Sequence, residues 1–234
     1  GFNNVLIPGW MWGVDITKDN SPGLPSFWGM MDIFTYSYAG AGDGKAIDIS
    51  LYNAIPDNDV RKQQFLSDEN NQYYLHPTYK FYDANRQIFY NRTWDNDIVY
   101  MRVAEMYLVC AEAYAHTNPN ESKKVLRLLL AEREPGAASR INALTDEELM
   151  DEIYLQWRIE MWGEGKSLLA LKRFEKEVTR GPNHKYLANS SYLYNDTRMI
   201  FEIPENEVNN NPQIDYNDEK NSEKSKVISF ISEN

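Results

Sequence analysis

Hydrophobic residues recur at two different spacings along this chain. In GWMWGVDIT, residues 9–17, every second residue is apolar, namely Trp10, Trp12, Val14 and Ile16. A period of two predicts a half-buried β-strand that points Trp10 and Trp12 into the core. Residues 19–48 then mix Pro, Gly and aromatic rings with no sustained period, which predicts a long loop.

A helical spacing begins near residue 98. With Asp97 as the N-cap, the first predicted helix presents one face made of Tyr100, Ala104, Tyr107, Leu108, Ala111 and Tyr114. The small side chains of Ala104 and Ala111 allow a second helix to approach closely. The same stretch contains Cys110, the only cysteine, for which we expect a buried thiol and no internal disulfide.

Two further helices follow, each with a recognisable start. Asn118, Pro119 and Glu121 form a capping signal for the second helix, which Pro135 ends. Thr145 and Glu148 form a capping box for the third, whose apolar residues lie four apart: Leu149, Ile153, Trp157 and Met161. Near the end, alternating Met199, Phe201 and Ile203 predict a short strand that Pro204 stops, before a polar tail over residues 205–226.

These patterns predict a mainly α fold made of tetratricopeptide-like helical hairpins, with long irregular loops and a few short strands. We expect a loop-rich region over residues 1–96, a helical region over residues 97–180 and an irregular C-terminal segment over residues 181–234. All three would pack as one structural domain, because a single hairpin of about 35 residues cannot bury its own apolar face.

Composition and charge restrict the partners. Lys and Arg number 24 and Asp and Glu number 35, giving a net charge of −11, and no basic run interrupts the acidity. Such a surface repels phosphate backbones, which argues against a nucleic-acid partner. No apolar run is long enough for a membrane span.

Common cofactor and metal motifs are missing from the sequence. The histidines stand alone at 76, 116 and 184, and the acids Asp43, Asp48, Asp57 and Asp59 do not follow a calcium-loop spacing. Residues 39–46, AGAGDGKA, resemble a phosphate loop but have Ala39 and Ala46 where glycine and a hydroxyl belong. We therefore expect no cofactor and no metal.

One pair of carboxylates leaves two interpretations open. Glu160 and Glu164 lie four residues apart around Trp162, at a separation that would suit the acid and base of a glycoside-cleaving enzyme. Arg158, Lys166, Lys172 and Arg173 lie nearby, so an ion-pair network at a helix corner explains the same residues without chemistry.

The ordered set of motifs resembles the SusD/RagB family. The relevant segments are YMRVAEMYLVCAEAYA, LTDEELMDEIYLQWRIEMWGEGKSLLALKRF and FEIPENEVNNNP, preceded by WMWGVDIT and by a segment containing Tyr52, Ile55, Pro56, Asp59 and Arg61. Arg158, Glu160, Glu164 and Gly165 match the family helix and its corner, whereas the His and Asp that normally follow are replaced. The resemblance implies a structural corner and a protein that binds glycans without cleaving them.

Further properties follow from the resemblance alone. Members of this family are outer-membrane, cell-surface lipoproteins that bind oligosaccharides for import through a SusC-like TonB-dependent transporter. They are about twice the length of this chain, so it would correspond to the C-terminal half, with the signal and lipidated cysteine outside it.

A sugar site needs exposed ring faces beside polar groups. The local match is the loop before the helices, with the candidate residues Trp28, Tyr36, Tyr38, Asp43 and Lys45. A protein-interaction scaffold that contacts the transporter and has no sugar site in this half is the alternative function. A glycosidase using Glu160 and Glu164 is the third hypothesis.

Overall fold

A computed structural model describes residues 2–81, 85–88, 96–201 and 203–213 of the chain. The strands are β1 Trp10–Val14, β2 Ile98–Arg102, β3 Val178–Thr179 and β4 Ser191–Tyr192. The helices are α1 Phe27–Met31, α2 Ile49–Ala54, α3 Val103–Ala115, α4 Pro119–Ala131, α5 Ala137–Ala143, α6 Asp146–Glu160, α7 Ser167–Arg173 and α8 Glu205–Asn210. Short 3-10 turns occupy Val60–Gln64 and Thr197–Met199. The predicted mainly α fold with long loops and short strands is confirmed.

The helical core forms between α3, α4 and α6. The predicted α6 row is buried, as are Ala104, Leu108 and Ala111 on α3 and Leu126, Leu129 and Leu130 on α4. The small side chains let α3 and α4 approach so closely that the Ser122 hydroxyl donates to the backbone oxygen of Ala111 at 2.6 Å. At the start of α6, Thr145 and Glu148 complete the capping box in both directions.

The loop-rich region adds a second core on the other side of α6. Ile159 packs there with apolar side chains from four segments, namely Ile47, Leu51, Ile55, Phe65 and Leu75. Trp162 extends this core, because its ring meets that of Phe65 edge-on at a centroid distance of 4.9 Å. Both faces of α6 are therefore buried, and the helix joins the loops to the helical hairpin.

Two predictions near the N-terminus are wrong. Residues 98–102 do not begin the first helix, because β2 pairs antiparallel with β1, so α3 starts at Val103 and Asp97 is not its cap. Trp12 is not core either, since it is 62% exposed and meets Tyr100 edge-on across the two strands. The ladder is irregular on both sides of Trp12, and such bulges break the strict alternation of strand faces.

Other corrections concern α3 and the C-terminal segment. Cys110 is exposed, so the expected burial of its thiol is wrong. The strand predicted over residues 199–203 is also wrong, because Thr197–Met199 forms a 3-10 turn and Phe201 and Ile203 are exposed. Residues 205–210 of the expected tail form α8, and the part beyond residue 213 lies outside the described residues. Among the described helices, none has the length and apolarity needed to cross a bilayer.

Candidate functional site

Glu160, the last residue of α6, lies at the centre of a buried cluster of ion pairs. Its carboxylate contacts three guanidinium groups, those of Arg61 at 3.0 Å, Arg102 at 2.6 Å and Arg133 at 3.1 Å. Arg61 comes from the 3-10 turn, Arg102 from the end of β2 and Arg133 from the segment after α4. One carboxylate thus connects elements that are distant in sequence.

Glu164 extends the cluster beyond the helix. Its carboxylate contacts Lys80 Nζ at 2.5 Å and Arg102 Nε at 2.9 Å. Lys80 also donates to the backbone oxygens of Glu160 and Trp162, at 2.8 Å in each case. This interaction holds the chain where it turns away from α6.

The positive neighbours keep both carboxylates ionised. Burial on its own would raise the pKa of Glu160, but the charges of Arg102, Arg61 and Arg133 outweigh burial and hold this pKa well below its usual range. The pKa of Glu164 is also lowered, because Lys80 and Arg102 outweigh the effect of burial. Burial lowers the pKa of Lys80 to about 8, against the opposing charge of Glu164.

This electrostatic arrangement is unsuited to glycoside cleavage. A glycosidase needs one carboxylic acid that is protonated near neutral pH, which requires a raised pKa. Glu160 and Glu164 are both ion-paired, and the pKa of each is lowered. The pair therefore lacks the general acid that the chemistry requires.

Of the other two residues predicted for the helix corner, Gly165 lies at the corner and Arg158 does not contact the ion-pair cluster. Gly165 has φ of +75°, a conformation that favours glycine and allows the reversal between α6 and α7. Arg158 lies outside the ion-pair cluster, with its guanidinium 5.8 Å from the ring centre of Tyr154. Sequence reasoning missed Arg102 and Arg133, because no local spacing connects them to a helix corner 27 or more residues away.

Among the predicted sugar-binding residues, Trp28 is buried and cannot act as an exposed platform for a sugar. It is only 2% exposed, and its ring packs edge-on against Phe27 and Phe81. Its indole N–H donates to the backbone oxygen of Asp97 at 3.0 Å. In this structure the ring offers no face to a ligand, so Trp28 anchors the loop to the core.

The remaining four candidates lie at the surface of one loop. Tyr36 is 66% exposed and Tyr38 is 48% exposed. Asp43 and Lys45 form an exposed ion pair at 3.5 Å, and Lys45 also donates to the backbone oxygen of Asp43. Residues 39–43 form one irregular helical turn rather than a phosphate loop followed by a helix.

Residues 183–185, from the C-terminal segment, hydrogen-bond to this loop. The sequence analysis did not predict these contacts. Lys185 Nζ donates to the backbone oxygen of Gly42 at 2.9 Å. Asn183 donates to the backbone oxygen of Ile47 and accepts from the backbone N–H of Ile49. The loop is therefore held at two points, by the buried Trp28 ring at its start and by the hydrogen bonds of residues 183–185.

The acids considered for calcium have protein partners instead. Asp57 pairs with Lys62, Asp59 with Arg61 and Asp43 with Lys45, while Asp48 caps α2. Within the ranges that the structure describes, no group of three or more His, Cys, Asp or Glu side chains could hold a metal ion.

Comparison with known proteins identifies the relatives of this fold. A family profile described as the SusD family matches residues 58–222. The chain is similar to a solved SusD-like carbohydrate binding protein from Bacteroides vulgatus ATCC 8482, with 26% identity and a TM-score of 0.66. It also shares its fold with a SusD superfamily protein from the same organism, at 18% identity and a TM-score of 0.71. No curated protein matches the chain.

These alignments cover most of this chain but only part of its relatives. The first covers 88% of this chain and 48% of the solved protein, and the second covers 88% and 45%. A SusD superfamily protein from Bacteroides thetaiotaomicron VPI-5482 gives a TM-score of 0.63 at 21% identity, with 88% and 48% covered. The chain thus spans about half the length of these solved structures.

Proposed function

Because this chain belongs to the SusD family, we propose that it binds oligosaccharides at the cell surface and does not cleave them. The bound sugar would pass to a SusC-like TonB-dependent transporter in the outer membrane, with the protein held there by a lipid anchor. The chain would act as the C-terminal half of such a protein. The ion pairing of Glu160 and Glu164, with the pKa of each lowered, argues against hydrolysis by this pair.

Two exposed tyrosines in one supported loop carry the proposed sugar site. Sugar rings have apolar C–H faces that stack on aromatic rings, and their hydroxyls need polar partners alongside. Tyr36 and Tyr38 are exposed within two residues of one another, and Asp43 and Lys45 follow in the same loop. With Trp28 buried, the proposed contacts are these four residues.

Replacing Tyr38 and Tyr36 together with alanine should weaken oligosaccharide binding at least about tenfold, or about 1.4 kcal/mol. The reason is the loss of two stacking faces that make no core contribution. Isothermal titration calorimetry against a panel of neutral plant, host and microbial oligosaccharides provides the measurement. Tyr114→Ala removes an exposed ring from α3 and should leave the affinity unchanged. Equal affinities for the double variant and the wild type would refute this site.

A protein-interaction scaffold is the second candidate, because the outer side of α3 is apolar. Its exposed residues are Val103, Tyr107, Val109, Cys110, Ala113 and Tyr114, and Met106 on the same helix is half-buried. The two acids on this helix, Glu105 and Glu112, are paired with Lys166 and Arg173 at its flank. A helix that is apolar all round is usually covered on both sides, and the transporter is the partner proposed for this face.

Under that second hypothesis, Tyr107→Glu should abolish binding to the purified SusC-like transporter of the same cells. A charge at the middle of an apolar interface loses its hydration without gaining a partner. Stability should change by less than about 1 kcal/mol, since Tyr107 is 36% exposed and its ring is not part of the helical core. Asn120→Glu, on the exposed start of α4, is the matched control. Retained binding by Tyr107→Glu in a co-sedimentation assay would exclude this face.

A further inference from the structure

A cavity of about 290 Å³ opens beside the buried ion-pair cluster. Arg61, Lys80, Arg102 and Arg133 line it, together with the carboxylate-bearing Glu160 and with Gln64 and Tyr79. Its volume is near the lower end of the range for small-molecule sites, enough for one sugar residue of a longer chain. None of these residues belongs to the Tyr36 and Tyr38 loop.

The charges around this cavity do not balance. Among the described residues, the ion pairs of the cluster join the four cations Arg61, Lys80, Arg102 and Arg133 to three carboxylates, Asp59, Glu160 and Glu164. The two acids that flank Arg133 do not supply the missing charge. Glu134 pairs with Arg140, and Glu132 has an exposed side chain. An unmatched positive charge near a low-dielectric interior favours a bound anion.

Counted over the described residues, Arg133 is the cation of the cluster with the most hydrogen-bonding capacity left. A guanidinium has five N–H donors, and Arg133 uses three, two to Glu160 and one to the backbone oxygen of Glu132. Its side chain is 29% exposed, whereas those of Arg61 and Arg102 are almost fully buried. Arg133 can therefore offer two N–H groups to a carboxylate while keeping its contacts with Glu160.

Gln64 and Tyr79 supply the other contacts that a sugar needs. The side-chain oxygen Oε1 of Gln64 is buried and has no hydrogen-bond partner among the described residues. A buried acceptor without a partner is costly, and a ligand hydroxyl would satisfy it. Tyr79 lines the same cavity and is 65% exposed, so its ring has a surface on which a sugar face can stack.

We propose that this cavity is a subsite for an acidic sugar, a uronate whose carboxylate binds Arg133, whose hydroxyl donates to Gln64 Oε1 and whose ring stacks on Tyr79. A neutral sugar would leave the excess positive charge unmatched, and a simple anion would leave Gln64 unpaired. Only a ligand with both groups satisfies the whole cavity. The inference rests on the proposed function and specifies the class of glycan.

Binding of trigalacturonate and of its fully methyl-esterified form tests the proposal by calorimetry. The two ligands share the same rings, and only the first carries carboxylates. We expect the acid to bind at least about tenfold more tightly, because hydrogen bonds to a charged group are the stronger ones. The preference should shrink as salt is raised. Equal affinity for acid and ester would overturn the subsite.

Single-residue variants then test whether Arg133 causes the preference for the acid over the ester. Arg133→Gln should remove it, whereas Arg127→Gln, an equal change of charge on α4 outside the cavity, should preserve it. If circular dichroism shows that Arg133→Gln is unfolded, Gln64→Leu replaces it, since the Gln64 side-chain oxygen bonds to nothing in the described fold. We expect Gln64→Leu to weaken the acid at least about fivefold. An unchanged affinity in Gln64→Leu, or an equal loss in Arg127→Gln, would contradict the assignment.

The experiments distinguish failure of this subsite from failure of the proposed sugar-binding function. Neutral oligosaccharides that bind through Tyr36 and Tyr38, together with no preference for the acid, would leave the function standing and remove this subsite. An acid preference lost in Gln64→Leu, with no effect of Tyr36 and Tyr38, would place sugar binding here and not in the loop. The absence of binding by every glycan would refute both.

Discussion

Replacing Glu160 with glutamine should lower the free energy of unfolding by about 3 to 5 kcal/mol, the usual cost of removing one partner from a buried ion pair. The expected loss is large because Glu160 contacts three arginines, two of them almost fully buried. Glutamine keeps the size of the side chain but leaves those cations with less compensation. Urea unfolding followed by circular dichroism measures the change, which corresponds to a melting temperature lower by about 10 °C for a chain of this size.

Glu147→Gln is the matched control for this variant. Glu147 lies in the first turn of the same helix and is exposed, so the substitution removes the same charge and should change stability by less than about 1 kcal/mol. A Glu160→Gln protein as stable as the wild type would contradict the structural role of this residue. If that stable variant also lost a glycoside-cleaving activity present in the wild type, the enzyme hypothesis would return.

Acid should unfold this protein through the same cluster. The pKa values of Glu160 and Glu164 are both lowered in the folded state, below the value of 4.5 expected for an unpaired glutamate. Ion pairing by these groups therefore stabilises the fold fully above pH 4.5, and the stabilisation is lost as the pH falls through the folded-state pKa values. We expect the free energy of unfolding to stay nearly constant from pH 7 to about pH 5.5 and to fall steeply below about pH 4.5.

Comparison of variants identifies the source of the acid sensitivity. Wild type and Glu147→Gln should show the same decline in urea midpoint between pH 5 and pH 3. Glu160→Gln should start lower at pH 7 and decline less, because one of the responsible carboxylates is gone. Parallel declines in wild type and Glu160→Gln would show that other groups, and not this cluster, cause the acid unfolding.

Local signals in the sequence identified the three long helices, α3, α4 and α6, and the starts of α4 and α6. The α6 row of Leu149, Ile153 and Trp157 and its capping box depend on residues within one or two turns, so the spacing alone predicts them. The start of α4 at Pro119 follows from the same short-range chemistry. The mainly α fold was predictable because helices carry their own periodicity.

Tertiary packing decided what local spacing cannot encode. Because α3 is apolar on nearly every side, its pattern could not show that Ala104 and Leu108 face the core and Cys110 the solvent. Pairing with β1 turned residues 98–102 into a strand, against the helical pattern of that segment. The burial of Trp28, the three arginines on Glu160 and the cavity beside Gln64 depend on contacts between distant segments. Sequence by itself therefore determined the three long helices and the family, while long-range packing and electrostatics determined which rings and charges a ligand can reach.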